Sequence, residues 1–318
     1  MKDVLFYRDF TRFTGGHLKL WHYFNHVRSS GTHRPHVWFT ERSLWDDTNP
    51  WWPIKDEVAG SWQHRVPSVL FLEGNDWGRL DEAARLQSAI PILNLVQGFR
   101  HADPARRPYG FLRYKAVRIC VSAEVKDAIV ATGRVNGPVF VIPNGLDLPA
   151  LAPRQRGQCD VLVVGFKNQE LARQVRDRVR ILAADTELLD LQLPRPAFLE
   201  ALQRARVTVF LPKAREGFYL PALEAMAIGT LVVCPDVVGN RSFCLPGHNC
   251  LRPEYGLEEI VRATAAALAL SPERRAAMLA NALQTARAHD MDRERKAFLA
   301  ILENLDDLWR STGPQGGG

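Results

Sequence analysis

Short apolar runs alternate with longer helix-patterned stretches along all 318 residues, and that alternation leaves few architectures open. In the first half the strand-length runs are Val4–Tyr7, Val37–Phe39, Ser68–Leu72, Ile92–Val96, Arg118–Val121 and Val139–Ile142. Helical patterns cover Gly16–Val27, Leu80–Ser88 and Ala123–Ala131; Ser122 stands where the last of these needs an N-cap and Gly133 just past its end. A polar, basic break follows, with Pro143-Asn144-Gly145, Pro149, Pro153 and Gly157. The pattern then restarts with strand candidates Val161–Val164, Leu188–Leu191, Val207–Leu211 and Leu231–Cys234. Its helix candidates are Gln169–Ile181, Pro196–Arg204, Pro221–Ile228, Leu257–Leu270 and a long Pro272–Trp309 stretch with a break near His289. Such alternation predicts an α/β fold, with parallel sheets covered by helices on both faces. Two tandem units are expected, 1–150 and 151–312, followed by a disordered tail over 313–318.

With 46% apolar and 24% charged residues, the chain has an ordinary globular composition and wholesale disorder is excluded. No apolar run approaches the ~18 residues that span a bilayer, so a transmembrane enzyme is excluded while attachment to a membrane surface is not. The apolar stretch Val4–Tyr7 is too short for a secretion signal and is flanked by Asp3 and Asp9. A cytoplasmic protein is expected, with the inner face of a membrane kept open. Cys120, Cys159, Cys234, Cys244 and Cys250 form no C-x-x-C pair and speak for a reducing compartment rather than a disulfide framework. Cys234, Cys244, His248 and Cys250 fit no common zinc spacing, and small buried hydrophobes are the simpler reading. No metal or other cofactor is expected. A net charge of +6 is modest; it permits attraction to phosphates or anionic lipid and gives no ground for nucleic-acid binding.

The most specific segment runs Arg215-Glu216-Gly217-Phe218-Tyr219-Leu220-Pro221-Ala222-Leu223-Glu224-Ala225-Met226-Ala227-Ile228-Gly229-Thr230. Glu216 falls in the loop after a strand, and Glu224 about one turn into the next helix if Pro221 opens it. Gly217 leaves the backbone free to approach a ligand, and the helix N-terminus offers unpaired N–H groups to a phosphate or sugar hydroxyl. On spacing alone, two solvated acids on an ordinary strand-loop-helix serve equally well. Thr14-Gly15-Gly16-His17 marks another strand-to-helix junction, where His17 is either catalytic or packing. Gln97-Gly98-Phe99-Arg100-His101 and Glu73-Gly74-Asn75-Asp76 close two further strands. Trp21, Tyr23, Phe24, Trp45, Trp51, Trp52 and Trp62 read first as packing, with a lipid headgroup layer beside Lys19, Arg28 and Arg34 as the alternative. Arg173, Arg176, Arg178 and Arg180 read as a solvated basic face.

The pattern E-G-F-x-L-P-x-L-E-A-M-A-x-G-x-x-V-V, from Glu216 on, resembles the C-terminal signature of the retaining GT-B glycosyltransferases of family four, the glycosyl transferases group 1. Val121–Val125 with Val141–Asp147, and Asp236–Gly239 with Gly247–Leu251, resemble further family segments in the same order. The likeness is good over residues 117–255 and thin before them. It implies two Rossmann-like domains with a nucleotide-sugar cleft between them, 1–150 on the acceptor side and 151–312 binding the nucleotide-sugar.

Carried over by position, Glu216 is implied to face the donor sugar at its reacting carbon and Glu224 to hold the ribose hydroxyls. Gly217, Phe218 and Leu220 join the donor-binding set, and Gly15 and Gly16 match the family's glycine loop. His101 is implied as a catalytic histidine touching the donor sugar, with Gln97 close to the same register. Where the family places an Arg and then a Lys after the first strand of the second domain, this chain has Phe166 and Lys167. Lys167 is then implied to meet the diphosphate, with Lys213 or Arg173 assisting. The reaction implied moves a sugar from a nucleotide-sugar to a glycan or lipid-linked acceptor with retention, in bacterial surface-polysaccharide synthesis. Peripheral membrane contact goes with such an acceptor; nucleic acid does not. The alternatives are an inverting transferase or nucleotide-sugar epimerase with Glu73, Asp76 or His17 as base, and a binding subunit that lost turnover through Phe166.

Overall fold

The computed structural model describes residues 1–58, 66–149 and 159–311. Trp62, the expected break at Pro153 and Gly157 and the tail 313–318 lie outside the described residues. The chain divides into two units, Met1–Asn144 with the chain from Asp292 on, and Gly145–Met291.

In the first unit the strands are β1 (Lys2–Arg8), β2 (His33–Phe39), β3 (Val69–Glu73), β4 (Ile92–Val96), β5 (Val117–Cys120) and β6 (Val139–Val141). They form one parallel sheet in the order β2-β1-β3-β4-β5-β6. Every residue of β4 is buried, as a central parallel strand requires. Pro35 sits on β2 at the sheet's edge, where its missing N–H costs no ladder bond. Helix α1 (Gly15–Arg28) is capped by Thr14, whose hydroxyl accepts the His17 N–H. Short helices α2 (Lys55–Val58), α3 (Glu82–Leu86) and α4 (Arg107–Gly110) precede α5 (Ala123–Val130), which Ser122 caps as the sequence predicts. The core is aromatic: Phe6 stacks on Phe71 at 4.5 Å, and Tyr23 meets Phe71 at 5.4 Å. Trp51 is fully buried against Trp21 and Phe24, so packing accounts for it, whereas Trp52 is exposed beside Lys55.

The second unit holds β7 (Cys159–Val164), β8 (Thr186–Leu189), β9 (Ala205–Phe210) and β10 (Leu231–Val233), parallel in the order β10-β9-β7-β8. Its helices are α6 (Gln169–Val179), α7 (Arg195–Arg204), α8 (Leu220–Ile228), α9 (Leu257–Leu268) and α10 (Pro272–Ala288). Successive residues of β7 face opposite sides. Leu162 and Val164 join Leu199, Leu223 and Ala282 of α7, α8 and α10, while Val161 and Val163 join Val175 and Ile260 of α6 and α9.

The long helical run after Pro272 breaks at His289, as its sequence suggests, and continues as α11 (Met291–Glu303) and α12 (Leu305–Ser311). From Asp292 on, however, the chain belongs to the first unit rather than the second. Phe298 enters the aromatic core 4.9 Å from Tyr23, and Glu294 accepts from buried Lys19 and bonds His26 at 3.0 Å. These partners lie hundreds of positions apart, so periodicity cannot announce them.

Both sheets share a consequence of strand order. The chain leaves β1 for β2 on one side and then crosses to β3 on the other; it leaves β7 for β8 and crosses to β9 in the same way. Each unit therefore has a switch point, β1/β3 or β7/β9, and open parallel sheets bind ligands at the carboxyl ends of strands there. No helix among the described residues is long and apolar enough to cross a membrane.

Candidate active site

At the second switch point, Lys167 follows β7 and Glu216 lies in the loop after β9. Lys167 Nζ donates to Glu216 Oε1 at 2.7 Å, and the Lys213 backbone N–H reaches the same oxygen at 3.2 Å. Among the described residues no bond engages Glu216 Oε2. Lys167 Nζ also lies 5.0 Å from the centre of the Tyr219 ring, which restrains it from a second side. The loop is pinned from below: the Tyr219 N–H donates to the Gly239 carbonyl at 2.8 Å. A Cβ at Gly239 would come within 2.6 Å of the Glu216 carbonyl, so this close approach needs glycine.

Helix α8 opens at Leu220, with Pro221 in its first turn, and places Glu224 one turn inside. Glu224 is buried, not a solvated acid. Arg195 Nε and Nη2 both donate to its Oε1, at 3.2 and 3.0 Å, and Arg195 also donates to the Asp147 carbonyl. Burial raises the Glu224 carboxyl above the ordinary range, with Arg195 pulling the other way. As at Glu216, one oxygen is held and Oε2 carries no bond among the described residues. Phe218 packs on Phe243 at 5.0 Å, and Gly217 is buried. Phe166 turns into apolar packing, edge-on to Phe198 at 6.5 Å, and offers no cation. Arg173 pairs with Asp190 at 3.3 Å rather than with this loop, and the Lys213 side chain is exposed. Cys234, Cys244 and Cys250 are buried, and burial pushes the Cys244 thiol well up.

At the first switch point, Gly15 and Gly16 open α1, and Gln97 Nε2 donates to the Gly16 carbonyl at 3.2 Å. Arg8 ends β1 and is 3% exposed; it donates to Asp76 at 2.7 Å and lies 3.3 Å from His17 Nδ1. Burial, with Arg8 beside it, pushes His17 down to about 4, so the ring is neutral near pH 7. Burial pushes Asp76 up to about 6 against the pull of Arg8. These side chains line a cavity of about 480 Å³ within the first unit. His101 is 1% exposed and lies outside that lining. Its Nδ1 is 3.1 Å from the Gly98 carbonyl, and burial pushes it down to about 4. A carbonyl only accepts, so Nδ1 carries the proton and Nε2, which has no partner among the described residues, holds a lone pair.

The sequence did not point to Arg195 or to Gly239 as supports of the acidic pair. The available signals were Pro194 at the start of α7 and the Asp236–Gly239 segment, both weak without a fold to bring them near residue 216.

Two parallel α/β units of Rossmann-like topology, each with polar groups at its switch point, define the GT-B class. The profile of the glycosyl transferases group 1 family matches residues 124–285, half of the chain, and the chain belongs to that family of glycosyltransferases. A D-inositol 3-phosphate glycosyltransferase from Frankia alni is 31% identical over 170 residues, covering 51% of this chain and 39% of that protein. The chain thus spans well under half of that relative. Among solved structures, sucrose-phosphate synthase from Thermosynechococcus elongatus superposes over 96% of this chain and 100% of its own, at TM-score 0.72 and 13% identity. HepE from Anabaena, solved with UDP-glucose, gives TM-score 0.66 at 14% identity over the same shares.

Proposed function

We propose that the protein transfers a sugar from a nucleotide-sugar donor bound by the second unit, with retention of anomeric configuration. The observation that carries this is the matched state of Glu216 and Glu224: each has Oε1 held by one basic side chain, with the Lys213 backbone N–H added at Glu216, and Oε2 without a bond among the described residues and left for a ligand. Glu224 Oε2 then accepts from ribose hydroxyls, a task that needs a fixed acceptor and no titration. Glu216 faces the reacting carbon, where its negative charge stabilises an oxocarbenium-like centre. Lys167 neutralises the departing diphosphate. The bond between the anomeric carbon and the phosphate oxygen breaks, that carbon bonds the acceptor oxygen, and the acceptor's proton passes to the leaving phosphate. Gly217, Phe218 and Leu220 shape the donor site and Gly15 and Gly16 approach the phosphates, whereas His101, 1% exposed, stays packed behind the Gly98 turn and does not meet the sugar. No metal is required by this chemistry. HepE's complex with UDP-glucose supports a UDP-sugar as the first donor to try. The acceptor in this reading is a glycan or lipid-linked sugar of bacterial surface-polysaccharide synthesis, met in the cytoplasm or at the membrane's inner face.

A thermal-shift screen of UDP, GDP, ADP, dTDP and CMP sugars tests the donor. Selective stabilisation by one class is expected, about 2.7 kcal/mol at a hundred times its Kd; no stabilisation by any contradicts the reading. NMR of the product's anomeric proton then tests retention. Phe166 favours a second reading, a binding unit without turnover, because Lys167 is left as the cation of that loop. Selective binding with neither transfer nor slow donor hydrolysis is its signature.

A further inference from the structure

The cavity at the carboxyl ends of β1 and β3 is lined by five arginines: Arg8, Arg42, Arg79, Arg100 and Arg107. Three carboxylates share the lining, and each is matched by one of them. Asp9 accepts from Arg42 and from Thr40, Glu73 from Arg100, and Asp76 from Arg8. Arg79 and Arg107 remain; neither forms an ion pair with a carboxylate among the described residues, although the Arg79 charge helps Thr40 and Arg42 hold Asp9 down. They are held instead by aromatic faces, Arg79 lying 5.0 Å from the Trp38 ring centre and Arg107 lying 5.7 Å from that of Phe111. The Arg107 guanidinium also lies against Gly78, where a Cβ would come within 2.5 Å of Nη2. It is thus seated beside the residue preceding Arg79. His17 is neutral and gives no further charge. Two oriented guanidiniums, unmatched in a cavity of about 480 Å³, leave an excess of positive charge and forked donors that fit phosphate oxygens.

We propose that this cavity binds a phosphate ester carried by the acceptor, with Arg79 and Arg107 as the groups that select it. The word acceptor rests on the function proposed above; the binding of phosphate does not. The ester belongs either to a soluble sugar phosphate or to a lipid-linked phosphate, since both present the same oxygens. Asn75 in the same lining supplies an amide for neighbouring hydroxyls.

Inorganic phosphate, and then a hexose 6-phosphate, titrated calorimetrically into the full chain tests this. Saturable binding is expected, weakened at least tenfold in R79Q/R107Q and unchanged in R178Q, whose altered cation lies on the exposed face of α6 against Glu258. Neither arginine pairs with a carboxylate, so the double variant is expected to fold; should it fail, R79Q and R107Q singly are each expected to weaken binding threefold or more. Equal affinity in wild type and variants, or no binding to wild type, overturns the proposal. Co-sedimentation with phosphatidylglycerol against phosphatidylcholine vesicles separates the sources. Arginine-dependent capture by the anionic vesicles alone assigns a lipid phosphate, and arginine-dependent hexose 6-phosphate binding without capture assigns a soluble one. UDP binding run in parallel keeps the two readings apart. Phosphate bound without UDP removes the donor reading and leaves this one standing, and UDP bound without arginine-dependent phosphate does the reverse.

Discussion

At the carboxyl ends of β7 and β9 one lysine meets one glutamate at 2.7 Å; at those of β1 and β3 five arginines surround three acids. The strand order around the two places is the same. What differs is how each is furnished from the sequence. In the second unit a single loop and the helix after it carry both glutamates within nine consecutive residues. In the first, the charged groups come from the ends of strands and from separate turns between Arg8 and Arg107. One topology thus supports a compact motif in one unit and a dispersed charged basin in the other, and only the compact one is readable as a string of letters.

The comparison breaks most visibly where the first unit depends on the end of the chain. Lys19 and Glu294 are buried, at 0% and 2% exposed, and removing the carboxylate leaves a buried ammonium unmatched. Glu294→Ala is expected to cost about 3–5 kcal/mol by urea unfolding, and Glu294→Gln less. An Ala variant as stable as wild type would detach α11 from the first unit's core. In the second unit, Glu224→Ala is expected to raise the donor KM about a hundredfold, while Glu224→Gln, which still accepts from Arg195 and from hydroxyls, raises it less. Equal effects of the two would show that the loop's shape matters and the acceptor oxygen does not. Gly239→Ala puts a methyl against the Glu216 carbonyl and is expected to cost about 1–3 kcal/mol. It is also expected to lower kcat more than nucleotide affinity, because the displaced residue is Glu216.

A smaller and opposed pair of effects belongs to the first unit and is read from pH. Burial holds His17 and His101 near 4, against 6.5 for the free side chain, so the folded chain binds fewer protons between those values and loses stability as pH falls through them. Asp76, near 6 against 3.8, acts the other way over its own interval, gaining stability as pH falls. Two histidines outweigh one aspartate, so a net loss is expected on going from about pH 6.5 to 4, each proton being worth about 1.4 kcal/mol per pH unit. His101→Gln is expected to flatten that loss in denaturant midpoints, and Asp76→Asn to steepen it. Parallel curves for wild type and His101→Gln would mean that the histidine ring is protonated in the folded chain.

Most of the secondary structure was legible because strand and helix periods differ and the caps are explicit. Ile92–Val96 is apolar but for Asn94 and forms a strand buried throughout, with the Asn94 amide donating to the Leu72 carbonyl, and Ser122 caps its own helix as its side chain dictates. The return of α11 to the first unit was not legible. Phe298 and Glu294 announce a buried face, but nothing in the local pattern says which sheet it will cover. Glu216 and Glu224 stood out through their spacing, whereas Arg195 became visible only when α7 was packed beside α8. The arginine basin was invisible for the same reason in stronger form, since its members share no spacing and meet only at a switch point.

The central claim is that Glu216 serves the reacting sugar and not the nucleotide, and Glu216→Ala tests it by pairing transfer kinetics with a nucleoside diphosphate titration on one preparation. A fall in kcat of at least about 10²–10³-fold is expected, with diphosphate affinity kept or raised because Lys167 loses its partner. Wild-type turnover in that variant, or a diphosphate affinity lost together with activity, would contradict the account.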